Sequence, residues 1–174
     1  LIAVHVLVDT CDAMGANLVN SICEAIAPEV AAACEGNVAL RILSNLADRS
    51  MFTARVRYEL PDGVRDAIVT ANNIALVDPY RATTHNKGIM NGVDAVAIAT
   101  GNDWRAIEAG AHSYAAASGR YQSLTRWTIA DNGDLLGEIT LPLKVATVGG
   151  TLRNNPGAAL GLAMTGAASA IELA

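Results

Sequence analysis

Two charged residues, sixteen positions apart, are the side chains of this chain best suited to chemistry. Lys87 stands in THNKGIMNG, and Asp103 stands in ATGNDWRA at the start of an alanine-rich stretch. A fixed ammonium group can polarise a carbonyl and stabilise the charge that develops on its oxygen, and a carboxylate can hold that ammonium in place. Each residue also has an ordinary explanation, Lys87 as a solvated loop residue and Asp103 as a helix N-cap. The spacing permits the two groups to meet but does not establish that they do.

A second motif, DAMGAN over residues 12–17, lies where a predicted strand leads into a predicted helix. Backbone N–H groups at a helix start attract anions, and Gly15 lets a phosphate or a ring approach the chain. The structural alternative for Asp12 is an N-cap of that helix. Because the sequence contains no GxGxxG, an ordinary Rossmann nucleotide site is disfavoured.

Arg81 in DPYRATTHNK is a candidate anchor for the carboxylate of a ligand, since a guanidinium fork matches a carboxylate. A surface ion pair with Asp78 is the alternative explanation for Arg81. The loop-like VGGTLRNNPGAA over 148–159 precedes a last predicted helix. Two of the three histidines, His85 and His112, are more typical of structural residues than of catalysts.

Composition excludes several classes of protein. With 174 residues, 52% hydrophobic and 17% charged, the chain is long and apolar enough to bury a core. A net charge of −5 without a basic tract argues against nucleic acid as a partner. No apolar run reaches the roughly 20 residues that span a bilayer, so no membrane partner is expected. A mean hydropathy of +0.30 with few charges predicts apolar surface buried in an oligomer.

The cysteines and histidines show no spacing typical of a zinc site, so no metal is expected. The cysteines are odd in number, and free, buried thiols in a reducing cytoplasm are the predicted state.

The elements that must position these residues predict an α+β fold. Residues 1–9 and 38–43 alternate as strands around a helix over 13–33 that Pro28 interrupts, which resembles half of a small α/β sandwich. After Asn45 the pattern predicts a strand over 51–60, a helix over 64–77, a glycine-rich segment over 84–102 with a short helix at 93–100, a helix over 103–117, a hairpin over 123–143 and a helix over 158–173.

Together, DAMGAN, THNKGIMNG and ATGNDWRA resemble the bacterial-type (class II) hydroxymethylglutaryl-coenzyme A reductases, from about Val4 to Thr151. The resemblance implies that residues 1–44 are the C-terminal half of a small, ferredoxin-like, non-Rossmann cofactor domain. It implies that residues 45–174 are part of a large, helix-rich substrate domain. The implied activity is NADH- or NADPH-dependent reductive deacylation of 3-hydroxy-3-methylglutaryl-CoA to mevalonate and CoA, or the reverse. The implied protein is a cytoplasmic homodimer or higher homo-oligomer with shared active sites and no metal.

The same resemblance implies roles for individual residues. It assigns catalysis to Lys87 and Asp103, cofactor binding to Asp12, Met14, Gly15, Asn17 and Asn45, and substrate binding to Arg81, Thr84 and Asn91. The family's catalytic glutamate, in an ENVIG-like motif, and its catalytic histidine have no match in this chain. We therefore expect a fragment of a longer protein, inactive by itself. The alternatives are a non-catalytic module that binds a nucleotide or coenzyme A, a structural assembly protein and, more weakly, an ordinary Rossmann dehydrogenase.

Overall fold

A computed structural model describes residues 1–174, the side chain of Thr151 excepted. Over these residues the chain is a mixed α/β protein in which helices surround one small antiparallel sheet. Its elements are α1 Ala16–Ala33, β1 Met51–Tyr58, α2 Asp62–Val77, α3 Pro79–Ala99, α4 Trp104–Ala115, β2 Thr125–Ile129, β3 Leu135–Pro142, a 3-10 turn Gly150–Arg153, α5 Pro156–Thr165 and α6 Ala170–Leu173.

The sheet has the order β1-β3-β2 with both pairs antiparallel. Met51 lies opposite Pro142 and Tyr58 opposite Leu135, so β1 runs the full length of β3. The predicted strand over 51–60 and the predicted hairpin are both confirmed. Gly137 sits under the ring of Trp127, where a Cβ would lie 2.5 Å from the ring, so only glycine fits that position of β3.

The core lies between α3, α4 and β3. Successive turns of α4 bury Ile107, Ala111 and Ala115, the stripe that predicted this helix. They pack against Met90 of α3 and Leu141 of β3. The helices predicted over 64–77 and 103–117 are thus confirmed within two residues at each end.

The prediction of a glycine-rich segment over 84–102 with only a short helix at 93–100 is wrong, because α3, Pro79–Ala99, runs through most of this segment as one helix of 21 residues. Gly88 and Gly92 lie inside it, each with open space where a Cβ would stand. Each glycine costs a helix about 1 kcal/mol relative to alanine. Burial of one stripe of the helix offsets that cost: Ala82, Asn86, Met90 and Ala97. Lys87 is therefore a helix residue rather than a loop residue.

The strands predicted over 1–9 and 38–43 are not formed, although the helix between them is. A strand exists only where its backbone groups find a neighbouring strand, and within the described chain these segments have none. Leu43 N instead donates to Asn20 Oδ1 on α1 at 2.9 Å. Leu7 and Leu40 are 71% and 82% exposed, so the alternating apolar pattern is present without the sheet that it predicts.

The single helix predicted over 158–173 is also wrong. The chain breaks at Gly166, which has a left-handed φ of 73°, into α5 and α6. Upstream of the break, α5 crosses α3 so closely that a Cβ on Gly161 would lie 2.1 Å from the carbonyl oxygen of Ala99. Close approach of the two helices therefore requires glycine there.

The thiols of Cys11 and Cys34 are exposed and that of Cys23 half-buried, so the expectation of buried cysteines is wrong while that of free ones is confirmed. In the described part of the chain, no helix combines the length and the apolar character needed to cross a membrane.

Candidate functional site

One face of α3 carries Lys87 together with residues predicted to bind substrate. Thr84, Lys87 and Asn91 are three and four residues apart, so they follow one another along the same side of the helix, and all three are exposed. Arg81 lies one turn earlier and is half-buried. The carboxylate of Asp78 caps α3 by accepting from Arg81 N at 3.1 Å. Among the described residues it makes no ion pair with the Arg81 guanidinium.

Two polar side chains fix α3 at the level of its predicted catalytic lysine. Asn86 is fully buried, and its Oδ1 accepts from Leu124 N at 2.9 Å. His85 Nε2 lies 2.7 Å from Thr125 Oγ1. Burial, and then the charge of Arg81, hold the pKa of His85 below its usual value, so this imidazole is neutral at neutral pH. The helix is thereby held against the segment that leads into β2.

Asp103 caps the beginning of α4. Its Oδ1 accepts from Ala106 N at 3.1 Å, and its carboxylate is exposed, 4.0 Å from Arg105 Nε. The preceding residue, Asn102, is buried and holds the turn in place. Asn102 Oδ1 accepts from Ala146 N at 2.7 Å, and Asn102 Nδ2 donates to Ala146 O at 3.1 Å. The capping role proposed for Asp103 is thus present, and it leaves the other face of the carboxylate open to solvent.

The DAMGAN loop is attached to the same part of the molecule. Thr147 N donates to Asp12 O at 3.0 Å, one residue after the contact made by Asn102. The Asp12 carboxylate accepts from Ala170 N at 2.8 Å, so Asp12 holds α6 rather than capping α1. Gly15 is the N-cap residue of α1, with a φ of 79°. A Cβ on Gly15 would lie 2.3 Å from Thr10 Cγ2, so the loop has no room for a side chain there.

The first turn of α1 is open to an anion. No side chain caps this 18-residue helix and its first turn has no acidic residue in the described structure, so the N–H groups around Asn17 are available. Met14 is half-buried and packs on the core, whereas Asn17 is exposed. Asn45 is exposed and its backbone carbonyl lies against Gly110 in the middle of α4. A close-approaching loop followed by free N–H donors fits a phosphate-bearing cofactor.

Within one chain, Lys87 and Asp103 lie at opposite ends of α4. Gln122 links the C-terminal end of α4 to α3, since its N–H donates to Ala115 O at 3.0 Å and its carbonyl accepts from Asn86 Nδ2 at 2.8 Å. Asp103 stands at the other end of this 12-residue helix, about 18 Å away along its axis. The described chain therefore separates the residues predicted to bind substrate, on α3, from those predicted to bind cofactor, around residues 12–17 and Asp103, and no ion pair joins Lys87 to Asp103 within it. We call these two candidate groups the substrate half and the cofactor half.

Two buried asparagines that hold α2 and α3 against β2 and the segment before it, Asn72 and Asn86, were not predicted from the sequence. Asn86 accepts from Leu124 N at 2.9 Å, and Asn72 accepts from Trp127 N at 3.0 Å and donates to Thr125 O at 3.0 Å. An asparagine at a core position of a helical stripe is the signal that could have found them, because a buried amide needs partners. The expectation for His112 is confirmed, since its Nε2 lies 2.8 Å from Glu108 Oε2.

Comparison with known proteins agrees with the motifs. Residues 1–174 match the family model described as hydroxymethylglutaryl-coenzyme A reductase. The chain is 46% identical to the 3-hydroxy-3-methylglutaryl-coenzyme A reductase of Archaeoglobus fulgidus over 178 residues, which is 100% of this chain and 41% of that protein. It is 43% identical to the probable reductase of Borreliella burgdorferi over 87% of this chain and 37% of that protein.

A solved structure agrees with the fold. The class II reductase of Streptococcus pneumoniae, described as bound to NADPH in open conformations, matches with a TM-score of 0.92 and 47% identity over 95% of this chain and 42% of that chain. The chain therefore belongs to the hydroxymethylglutaryl-coenzyme A reductase family, as the resemblance of its motifs predicted. It spans about two fifths of the length of these relatives.

Proposed function

We propose that the protein containing this chain is a hydroxymethylglutaryl-CoA reductase. It carries out NADH- or NADPH-dependent reductive deacylation of 3-hydroxy-3-methylglutaryl-CoA to mevalonate and CoA, or the reverse. The observation that carries this proposal is the pairing of an exposed lysine face on α3 with an anion-accepting loop tied to Asp103. Family membership and the NADPH-bound relative from Streptococcus pneumoniae support it.

The cofactor half is built from the DAMGAN loop. When bound, a reduced nicotinamide cofactor supplies the hydride. The open N–H groups at the start of α1 hold its phosphates, and Gly15 lets them approach the backbone. Met14 and Asn17 line the loop, Asp12 fixes its backbone through Thr147 and α6, and Asn45 stands close to α4.

The substrate half is built from α3. Lys87 Nζ donates to the thioester carbonyl and stabilises the negative charge that its oxygen gains when hydride adds to the carbonyl carbon, an effect worth several kcal/mol in such sites. Arg81 anchors the free carboxylate of the substrate, and Thr84 and Asn91 add hydrogen bonds on the same face. Collapse of the oxyanion expels the CoA thiolate, and a second reduction gives the alcohol. The proton donors to the oxyanion and to the thiolate, a glutamate and a histidine in this family, belong to the rest of the protein.

The two half-sites meet between subunits of a homodimer. Lys87 and Asp103 are both exposed and are separated by the length of α4 within one chain, so a second copy is the direct way to bring the carboxylate to the ammonium group. There Asp103 orients Lys87 and favours its charged form. This arrangement needs no metal, and among the described residues no cluster of three metal-binding side chains is present.

The division into domains follows from the same proposal. Residues 1–44 form the end of a small ferredoxin-like cofactor domain, and residues 45–174 belong to the large substrate domain. In support, the segments 1–9 and 38–43 alternate like strands but find no ladder partner in the described chain. Free cysteines are consistent with a reducing cytoplasm.

The first test is turnover of the intact protein. Oxidation of NADH or NADPH, followed by absorbance, should depend on added 3-hydroxy-3-methylglutaryl-CoA and should yield mevalonate and free thiol. Binding of nucleotide or CoA without turnover in the intact protein would favour the non-catalytic module. No binding of either ligand, measured as an unchanged melting temperature, would favour a structural protein.

The second test asks whether the site is shared. Lys87→Ala and Asp103→Asn homodimers should each be inactive, but co-expressed subunits should recover activity, because a hybrid dimer keeps one site with both native residues. Random pairing makes half of the dimers hybrid, so recovery should approach about a quarter of the wild-type rate. The matched control co-expresses Lys87→Ala with the double mutant, which offers no intact site and should stay inactive. Absence of recovery in the first mixture would refute the shared arrangement.

A further inference from the structure

Two carboxylates meet where α3 packs on α4. Asp94 Oδ1 is buried and, among the described residues, has no hydrogen-bond donor. The group that faces Asp94 is the carboxylate of Glu108. Glu108 Oε2 lies 2.8 Å from His112 Nε2, and His112 Nδ1 lies 2.7 Å from the hydroxyl of Tyr121. Glu108, His112 and Tyr121 thus form a hydrogen-bonded chain, and the carboxylate of Asp94 is coupled to its Glu108 end.

Two ionised carboxylates can only accept hydrogen bonds, so Asp94 and Glu108 cannot bond to each other without a proton. Burial, then a hydrogen bond to Glu108, then the charge of Glu108 raise the pKa of Asp94 to about 6, while the charge of His112 opposes the rise. The unpartnered Oδ1 and the raised pKa have the same cause. The contact becomes a hydrogen bond only when one of the two carboxyls is protonated.

The pair joins the two helices that carry the half-sites. Asp94 lies three residues after Asn91 and seven after Lys87, on the same face of α3. Glu108 lies five residues after Asp103, on α4. We infer that Asp94 and Glu108 form an acid pair that shares one proton and acts as a positioning element, setting α3 against α4 and so placing Lys87. This inference about Lys87 rests on the proposed function, whereas the acid pair itself does not.

Other packed elements contribute little charge at this contact. Among the described residues, the charged groups that act on Asp94 are Glu108 and His112. The sequence of α5, which also packs on α3, contains no titratable side chain. Glu172 of α6 is exposed and accepts from a backbone N–H, and Arg65 of α2 is paired with carboxylates of its own helix. The charged groups that set the pKa of Asp94 are therefore Glu108 and His112.

The direction of the pH effect follows from the raised pKa. The folded protein holds the proton of Asp94 at a pH where the unfolded chain has lost it, so the folded state binds more protons between 3.8 and about 6. Stability from this pair is present at low pH and is lost as pH rises through that window. Because Asp94 is partly exposed, we expect the folding equilibrium to weaken by about tenfold rather than by the full shift.

Carboxyl ¹³C NMR of the intact protein tests the acid pair directly. The Asp94 carboxyl resonance, identified by its loss in Asp94→Asn, should titrate near pH 6, and in Glu108→Gln its titration should move down toward the usual range of an aspartate. An Asp94 titration in the usual range in the wild type, or one that Glu108→Gln leaves unchanged, would overturn the acid pair. This measurement needs no enzymatic activity.

The pH profile of turnover tests the positioning role. We expect kcat of the wild type to show an ionisation near pH 6. Asp94→Asn places an N–H donor against Glu108 at every pH, so this ionisation should disappear in the variant while KM changes by less than about twofold. Glu108→Gln is the second variant, and should also remove it. Asp131→Asn, in the exposed hairpin turn, is the control and should keep it.

An ionisation that persists in both variants would overturn the positioning role. An intact wild-type protein without turnover would instead overturn the proposed function, and the NMR titration would still decide the acid pair.

Discussion

Replacing Asn102 by alanine should destabilise the protein, lower its turnover and weaken its binding of nucleotide. The Asn102 side chain is 9% exposed and makes three hydrogen bonds, to Ala146 N at 2.7 Å, to Ala146 O at 3.1 Å and to Thr100 Oγ1 at 2.9 Å. The substitution removes all three and leaves the N–H and carbonyl of Ala146 facing an apolar methyl group. Asp103 follows directly in sequence, and Thr147, which supports the DAMGAN loop, follows Ala146.

The expected loss can be worked from these contacts. A neutral hydrogen bond contributes about 1 kcal/mol net, and a buried N–H left without a partner costs about 1–3 kcal/mol. Water can reach part of this turn because Asp103 is exposed, so the two effects overlap. We expect a decrease of about 3 kcal/mol in the free energy of unfolding.

Urea unfolding of the intact protein measures this loss, at one fixed protein concentration because subunit association contributes to the midpoint. Asn154→Ala is the matched control, since Asn154 is exposed, and should change the free energy by less than about 0.5 kcal/mol. Asn102→Ala should also lower kcat and weaken nucleotide binding, because one segment, held by Asn102 and Ala146, positions both Asp103 and the loop at residues 12–17. A loss below about 1 kcal/mol would show that the buried amide does not hold this turn.

Two further substitutions separate chemistry from folding. Lys87→Ala should lower kcat by about a hundredfold to a thousandfold. It should change the free energy of unfolding by less than about 1 kcal/mol, because Lys87 is exposed and would lose only an ion pair between subunits. Retained turnover would remove Lys87 from the mechanism. Gly15→Ala should weaken NADPH binding and destabilise the protein by about 1–3 kcal/mol, since its φ is 79° and the new Cβ meets Thr10 Cγ2. Gly119→Ala, at a φ of 85° with open space, costs only the backbone strain and should leave NADPH binding, measured by fluorescence titration, unchanged.

Periodicity predicted the elements in which the apolar residues of the sequence repeat face the core. Ile107, Ala111 and Ala115 repeat every four residues and face the core, so the sequence alone placed α4. The hairpin followed in the same way from two apolar strands around DNGD. The helix over 84–102 was not predicted in full because Gly88 and Gly92 have low helix propensity. Burial of Asn86 and Met90 along one face of α3 outweighs the low helix propensity of the two glycines.

For the candidate site, the sequence predicted the residue types but not their positions in space. Motifs identified Lys87, Asp103 and the DAMGAN loop, because an ammonium group, a carboxylate and a glycine before a helix are visible one residue at a time. Where each of them lies was not visible. The residues that fix their positions, Asn86 and Asn102, hydrogen-bond to backbone 36 and 44 residues away in sequence.

What the amino-acid sequence determined by itself was the family, the candidate reacting groups and most of the helices and strands, since these depend on side-chain chemistry and on local periodicity. Only the tertiary structure decided that Lys87 and Asp103 stand at opposite ends of α4, because the direction of α4 against α3 is set by the turn at Asn102 and by the bonds of Gln122 to both helices. It also decided that Asp94 faces Glu108. Both results depend on which helix surfaces pack together. That packing is set by contacts between residues far apart in sequence, so no single motif predicts it.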